Sequence, residues 1–363
     1  MATIKTNAVA GVATLNHSEV TDLICATGHS NTVLVRGPTG IGKSSLQKMV
    51  LDKMRKTVPN MVGAYIDCAN LSFGDTMMPV INKDERCTGF YPNEHFKLHL
   101  GVPVCIMLDE YLKGTRDVKN MLLPLMLERR LGSTVLHPDS IVFCSSNLQE
   151  EGLGDDMQAH VRNRITEVEL RSPSSEEWQA WGMENGANAT LLAFAEEFPQ
   201  IFQSYRDDPD GANPYIYNPK KVQRSVCTPR SLFKCNAVLE NKQKLTSATL
   251  HAALSGTVGV NTANSMMTFV NLEESLPDYK AILANPAKCP IPDSPPARLL
   301  LVFSLLVKVT KGDLKAVMEY VDRFNAEMHG IFINRILSTP STSVWAAQHP
   351  SMAKAVAKLK NIW

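Results

Sequence analysis

The residues of this chain best suited to chemistry begin with the run Gly37-Pro-Thr-Gly-Ile-Gly-Lys-Ser44. Gly37, Gly40 and Gly42 free the backbone to wrap closely. Successive N–H groups of the loop, which also takes in Pro38, Thr39, Ile41 and the following Ser45, can then point at an anion beside the positive end of a following helix. The pattern is that of a phosphate-binding loop, and it lies where the chemistry needs it, after the apolar run Val33-Leu-Val35 and before a helix starting near Lys43. Lys43 would bridge the β- and γ-phosphates of ATP. Ser44 would offer a hydroxyl to the Mg²⁺ that the triphosphate carries.

Val104-Cys-Ile-Met-Leu-Asp-Glu110 is an apolar strand ending in two acids. A buried strand delivers Asp109 beside the phosphates to hold hydrated Mg²⁺, and Glu110 is placed to polarise an attacking water. A base next to the metal carboxylate favours hydrolysis over transfer to another acceptor. A second apolar strand, Ile141 to Asn147, ends in a polar cluster whose Asn147 can meet the γ-phosphate or the water. Arg162 and Arg164 follow; a guanidinium suits the spread charge of a phosphoryl transition state, and either could serve. In Cys227-Thr-Pro-Arg-Ser231, Thr228 caps a helix, Pro229 opens it, and Arg230 sits in its first turn. Positive charge there is unfavourable unless that end faces an anion such as the nucleotide.

Other chemistries find less support. His95 and His99 stand at helical i, i+4 spacing, but with no third ligand in view a solvated helix face is the plainer reading. No nucleophile elbow or zinc-protease stretch is present. The eight cysteines form no C-x-x-C pair and read as buried thiols of a reducing compartment. With 37 Lys and Arg against 36 Asp and Glu, the charge balance argues against gripping nucleic acid. The first residues lack a charged-then-apolar leader, and the longest apolar run, Leu299 to Val309, is too short to cross a bilayer. A cytoplasmic protein with no membrane partner is expected.

The elements that must position these groups follow from hydrophobic pattern. Runs at 33–35, 63–68, 104–108, 141–145 and 165–170 alternate with helical stretches, the mark of an α/β fold with a covered parallel sheet. The last of these alternates apolar and acidic residues, which predicts an edge strand. From Ser174, capped through Glu177, helices dominate. A loop spans 205–224, and the proline-rich stretch 285–296 reads as a linker. Three parts result: a nucleotide-binding α/β core (1–172), a helical lid (173–284), and a linker with a C-terminal helical segment (285–363). The final helix places Met352, Val356, Leu359 and Trp363 on one face, for packing on its own domain.

The order of loop, Asp-Glu strand, Asn-ended strand, arginine pair and Thr-Pro-Arg-Ser resembles the AAA+ ATPases, and within them the MoxR-like group, over roughly residues 18–280. Asp75-Thr-Met-Met-Pro79, Phe143 to Asn147, Leu254 to Gly259 and Leu276-Pro-Asp278 add to the resemblance. It implies a five-stranded parallel sheet in the order 5-1-4-3-2, a hairpin over Arg130 to His137, Asn147 and Arg230 as phosphate sensors, and Arg164 as the finger reaching a neighbour's ATP. The group usually has Asp-Arg-Phe where this chain has Asn163-Arg164-Ile165, which leaves Arg162 as the other candidate. Also implied are a ring of identical subunits, often a hexamer, and a partner protein with a von Willebrand A domain whose complex is remodelled or matured. Phe90 and Tyr91, within 83–96, either line a central pore or pack a loop. A nucleotide-switched scaffold or nucleic-acid-loading factor would share the phosphate loop, but its helix-turn-helix or basic stripe is not visible.

Overall fold

The computed structural model describes residues 14–148, 157, 159–218 and 221–360. The chain divides into two compact units, Met1–Ser172 and Pro173–Trp363.

The first unit runs β1 (Thr14–Leu15), α1 (His17–Thr27), β2 (Val33–Gly37), α2 (Leu46–Met54), β3 (Val62–Asp67), α3 (Phe73–Thr76), β4 (Met77–Asn82) and β5 (Cys87–Pro92). It continues with β6 (Val104–Asp109), α4 (Arg116–Leu127), β7 (Arg130–Leu131), β8 (Thr134–Val135), β9 (Ile141–Asn147), α5 (Ala159–Arg162) and β10 (Thr166–Leu170). Six strands form one sheet in the order β1-β10-β2-β9-β6-β3. Every pairing in it is parallel. The five long strands thus lie 5-1-4-3-2 in chain order, with one strand more than expected outside the fifth. That addition corrects the expectation for 165–170: β10 is not the edge, because Thr14 and Leu15 pair with Glu169 and Leu170.

Alternation along the strands builds two cores. Val33, Val35, Met107 and Phe143 pack under α1 and α2 with Ile24, Leu46 and Val50. Leu34, Ile66, Leu108 and Cys144 pack on the other face with Val118, Leu122 and Leu125 of α4. Strands inside a sheet covered on both sides are buried, which is why β6 is apolar as far as Leu108 and β9 as far as Cys144.

Two small hairpins leave this body. β4 and β5 pair antiparallel from Met77↔Pro92 to Asn82↔Cys87, and β7 pairs with β8 where a hairpin was expected. The hairpins are laced together: Ser133 N–H donates to Phe90 O at 2.8 Å, and Phe90 N–H to Ser133 Oγ at 3.3 Å. Gly132, at φ 57°, is required here, since a Cβ would lie 2.2 Å from Phe90 O.

The second unit is helical: α6 (Ser175–Glu184), α7 (Ala189–Glu197), α8 (Pro229–Glu240), α9 (Ser247–Val258), α10 (Val260–Glu273), α11 (Tyr279–Ala284), α12 (Pro295–Lys308), α13 (Leu314–Val321), α14 (Ala326–Ser338), α15 (Pro340–Ala347) and α16 (Pro350–Lys360). One core runs through it from Trp178 to Ala355 and takes in Leu254, Phe303 and Phe332. The proline-rich stretch is tied down, not free: Tyr320 Oη donates to Pro290 O at 2.6 Å, and Arg323 to Pro286 O and Cys289 O at 2.7 Å each. Met352 belongs to this core and Val356 packs on it, while the side chains of Leu359 and Trp363 lie outside the described residues. The apolar run 299–309 forms most of buried α12, and among the described residues no helix is long and apolar enough to cross a membrane.

Candidate active site

Parallel strands end together, and the polar residues that follow each apolar run therefore converge. In register, Gly37 pairs with Asn147 and Asp67 with Asp109. The loop after β2 turns on Gly40 and Gly42, at φ 79° and 99°, and passes into a short 3₁₀ turn, Lys43–Ser45, that leads into α2. Such angles are cheap only for glycine.

Lys43 is only 6% exposed. Its ammonium donates to Gly37 O at 2.7 Å, Pro38 O at 2.9 Å and Asn147 Oδ1 at 2.7 Å. A buried cation needs this many acceptors. Ser44 Oγ donates to Asp109 Oδ2 at 3.1 Å. Ser45 Oγ closes the turn on Gly42 O at 2.6 Å. His17 adds a ring nitrogen against Ile41 O at 3.0 Å.

Asp109 is buried, with all its oxygens occupied: Oδ1 accepts from Ser145 Oγ and from Glu110 N–H at 3.1 Å, and Oδ2 from Ser44 and the Tyr65 hydroxyl. Burial, and then the bond to Asp109, push the Tyr65 phenol far above its ordinary range. Glu110 takes a left-handed backbone at φ 53°, uncommon for a residue with a side chain. The turn Tyr111–Lys113 that it opens brings Lys113 back to ion-pair with Glu110 Oε2. Asn147 Nδ2 donates to Glu110 Oε1 at 3.3 Å. Lys43, Asn147, Glu110 and Lys113 therefore form one chain of contacts.

The structure thus brings together Lys43, Ser44, Asp109, Glu110 and Asn147. Arg162 and Arg164 have exposed side chains at the end of α5, and Arg162 donates to Met157 O at 3.3 Å. Arg230 belongs to the second unit, exposed in the first turn of α8, whose cap is Thr228 paired with Ser231. Ser44 and Asp109 are hard oxygen donors side by side, a set that suits Mg²⁺, which takes one or two protein oxygens beside phosphate and water.

Three expectations are corrected. His95 and His99 do not share a helix: Lys97, at φ 59°, separates two 3₁₀ turns, and His95 Nε2 binds Asp75 O at 2.8 Å. No group of three metal-ligating side chains occurs among the described residues. Phe90 and Tyr91 do not pack a loop but lie exposed on β5. The cysteines are all free, yet Cys87 is exposed and Cys25 half-buried. Tyr65, Ser145 and Lys113 were missed. The first two are legible only once the strand register is known, and Lys113 only once the turn after Glu110 is.

No protein-family model and no curated protein matches the chain. Among solved structures it is similar to a RuvB variant from Thermotoga maritima, at 12% identity over 76% of this chain and 77% of that one, TM-score 0.36. NtrX from Brucella abortus is similar at 14% identity over 97% and 69%, TM-score 0.32. PCH-2 from C. elegans is similar at 16% over 71% and 68%, TM-score 0.32. Likenesses this loose assign no function, which must come from the site.

Proposed function

We propose that this chain is a Mg²⁺-dependent ATPase of the AAA+ kind, close in type to the MoxR-like group, that works as a cytoplasmic ring of identical subunits, a hexamer, and remodels a partner protein. The observation that carries the reading is the strand-end cluster, in which a buried lysine, a hydroxyl, two adjacent carboxylates and an asparagine converge on a glycine-turned loop. Triphosphate oxygens would compete for the donors of Lys43 that now serve Gly37 O, Pro38 O and Asn147. Releasing Asn147 from Lys43 frees its amide to orient a water against Glu110. Ser44 and Asp109 would hold Mg²⁺, which when bound neutralises charge on the β- and γ-oxygens.

The exposed Arg164, with Arg162 beside it, suits a guanidinium offered to a neighbouring subunit's nucleotide, while Arg230 would report on the chain's own. The partner-directed part rests on the laced hairpins, which expose Met78, Val80, Ile81, Phe90, Tyr91 and Val135 together. A von Willebrand A-domain protein is the partner class that the sequence resemblance supplies. The test is subunit mixing. Arg164→Ala should keep its ATP affinity and lose roughly 10³-fold in turnover. Added Lys43→Ala subunits should restore part of it, because each variant contributes what the other lacks. No rescue at any ratio would remove the shared site and the ring with it.

A further inference from the structure

Among the residues of the strand-end cluster to which nothing above gives a part, Tyr65 is the one that meets the metal-facing oxygen of Asp109. Tyr65 lies on β3 opposite Met107 of β6, and the next residue on the same face, Asp67, lies opposite Asp109. β3 is the edge of the sheet. The helix covering this face reaches Gly63, whose Cα faces Leu51 and Gln47 of α2, and Tyr65 remains 48% exposed. Packing alone is a poor reason for an aromatic here, because half of its surface is in water. Its hydroxyl, however, is turned inward onto Asp109 Oδ2, the oxygen that Ser44 also shares.

The distribution of donors is informative. A carboxylate has about four lone-pair directions, and on Asp109 all four are met: Ser145 and the Glu110 N–H on Oδ1, Ser44 and Tyr65 on Oδ2. Were Mg²⁺ held between Ser44 and Asp109, the Oδ2 lone pair that now accepts from Ser44 would have to face the cation, and the Ser44 hydroxyl would release it. The carboxylate would then be free to turn about its last torsion, unless the remaining donors hold it. On the metal-facing oxygen the remaining donor is Tyr65. A tyrosine hydroxyl ordinarily loses its proton only near pH 10, so at neutral pH it is a donor to a carboxylate.

We propose that Tyr65 is the positioning residue for the metal carboxylate: its hydroxyl fixes Asp109 so that the lone pair facing Ser44 is ready for Mg²⁺. This rests on the nucleotide-site reading above. Tyr65→Phe removes one hydroxyl from a half-exposed ring and leaves the fold intact. ADP binding measured by calorimetry with and without Mg²⁺ reads the effect without turnover. The parent should bind ADP more tightly with Mg²⁺. Tyr65→Phe should keep the Mg²⁺-free affinity and require about tenfold more Mg²⁺ for the same tightening, the scale of one hydrogen bond to a charged group. The Mg²⁺ concentration for half-maximal ATP cleavage should rise by the same factor, with the rate at saturating Mg²⁺ much less affected. The retained Mg²⁺-free affinity shows that the variant is folded. Equal Mg²⁺ dependence of parent and variant would overturn the role of Tyr65 and leave the nucleotide site standing. A parent that binds no nucleotide at all would overturn both.

Discussion

Two regions of the first unit depart from the ordinary division of polar outside and apolar inside, in opposite directions. At the strand ends Lys43, Asp109, Ser145 and Asn147 are polar and buried. On the laced hairpins Ile81 and Val135, each 72% exposed, are apolar and in water. Each departure costs stability, through desolvation in the first case and unburied surface in the second. The first is offset internally, since every buried group named finds partners within the cluster. The second has no such offset within its own hairpins; under the proposed function a partner protein would supply it. One region is satisfied internally and would, under the proposed function, receive a small anion, whereas the other leaves apolar surface that a partner protein would cover.

Breaking the finished region should have the larger effect. Lys43→Ala removes a buried cation and its donors, and ATP affinity should fall roughly 10²-fold or more in equilibrium titrations, as expected for two or more charge-assisted bonds. An affinity within a factor of about three of the parent would show that the loop does not grip phosphate. The hairpins should behave differently. Ile81→Ser with Phe90→Ser should leave basal ATP turnover within about twofold, since neither side chain supports the cluster, and abolish the change in turnover produced by a client protein. A loss of basal turnover would mean that the two regions are one site.

The smallest effect sharpens the contrast without altering either region. Cys68 and Cys144 lie in the core beneath the strand ends, and burial pushes both thiols well up; Cys105 is pushed up to about 12 by burial. Thiolates are the reactive form, so these should resist alkylation at pH 8, while exposed Cys87 on the hairpin reacts first and Cys25 later. Because the folded values lie above the unfolded one, this stabilising contribution is complete below about pH 8.5 and falls as the pH rises beyond it. Mass spectrometry after brief labelling, followed by melts at pH 7 and 9, checks both statements. Equal labelling of Cys87 and Cys144 would contradict the burial contrast.

The sequence disclosed the strand-end cluster because its chemistry is local: a glycine-turned loop, an apolar run and its terminal acids each lie within eight residues. Parallel strands then bring separate runs together, so convergence follows from alternation. The hairpin β4–β5 was harder to see. Exposed on both faces and holding Pro79, it lacks the period-2 pattern that marks a half-buried strand. β1 is two residues long and has no pattern of its own. Tyr65 needed the register between β3 and β6, and Lys113 needed the left-handed backbone at Glu110, neither of which a spacing rule encodes.

The central claim is that Glu110 acts on a water beside a triphosphate held at this cluster. Glu110→Gln keeps the size and one acceptor of that side chain while removing its basicity. ATP cleavage should be followed by quenched flow at saturating Mg²⁺ and ATP, with bound nucleotide measured on the same sample. The account predicts parent-like ATP binding with cleavage slowed roughly 10²-fold or more; parent-like cleavage by Glu110→Gln would contradict it.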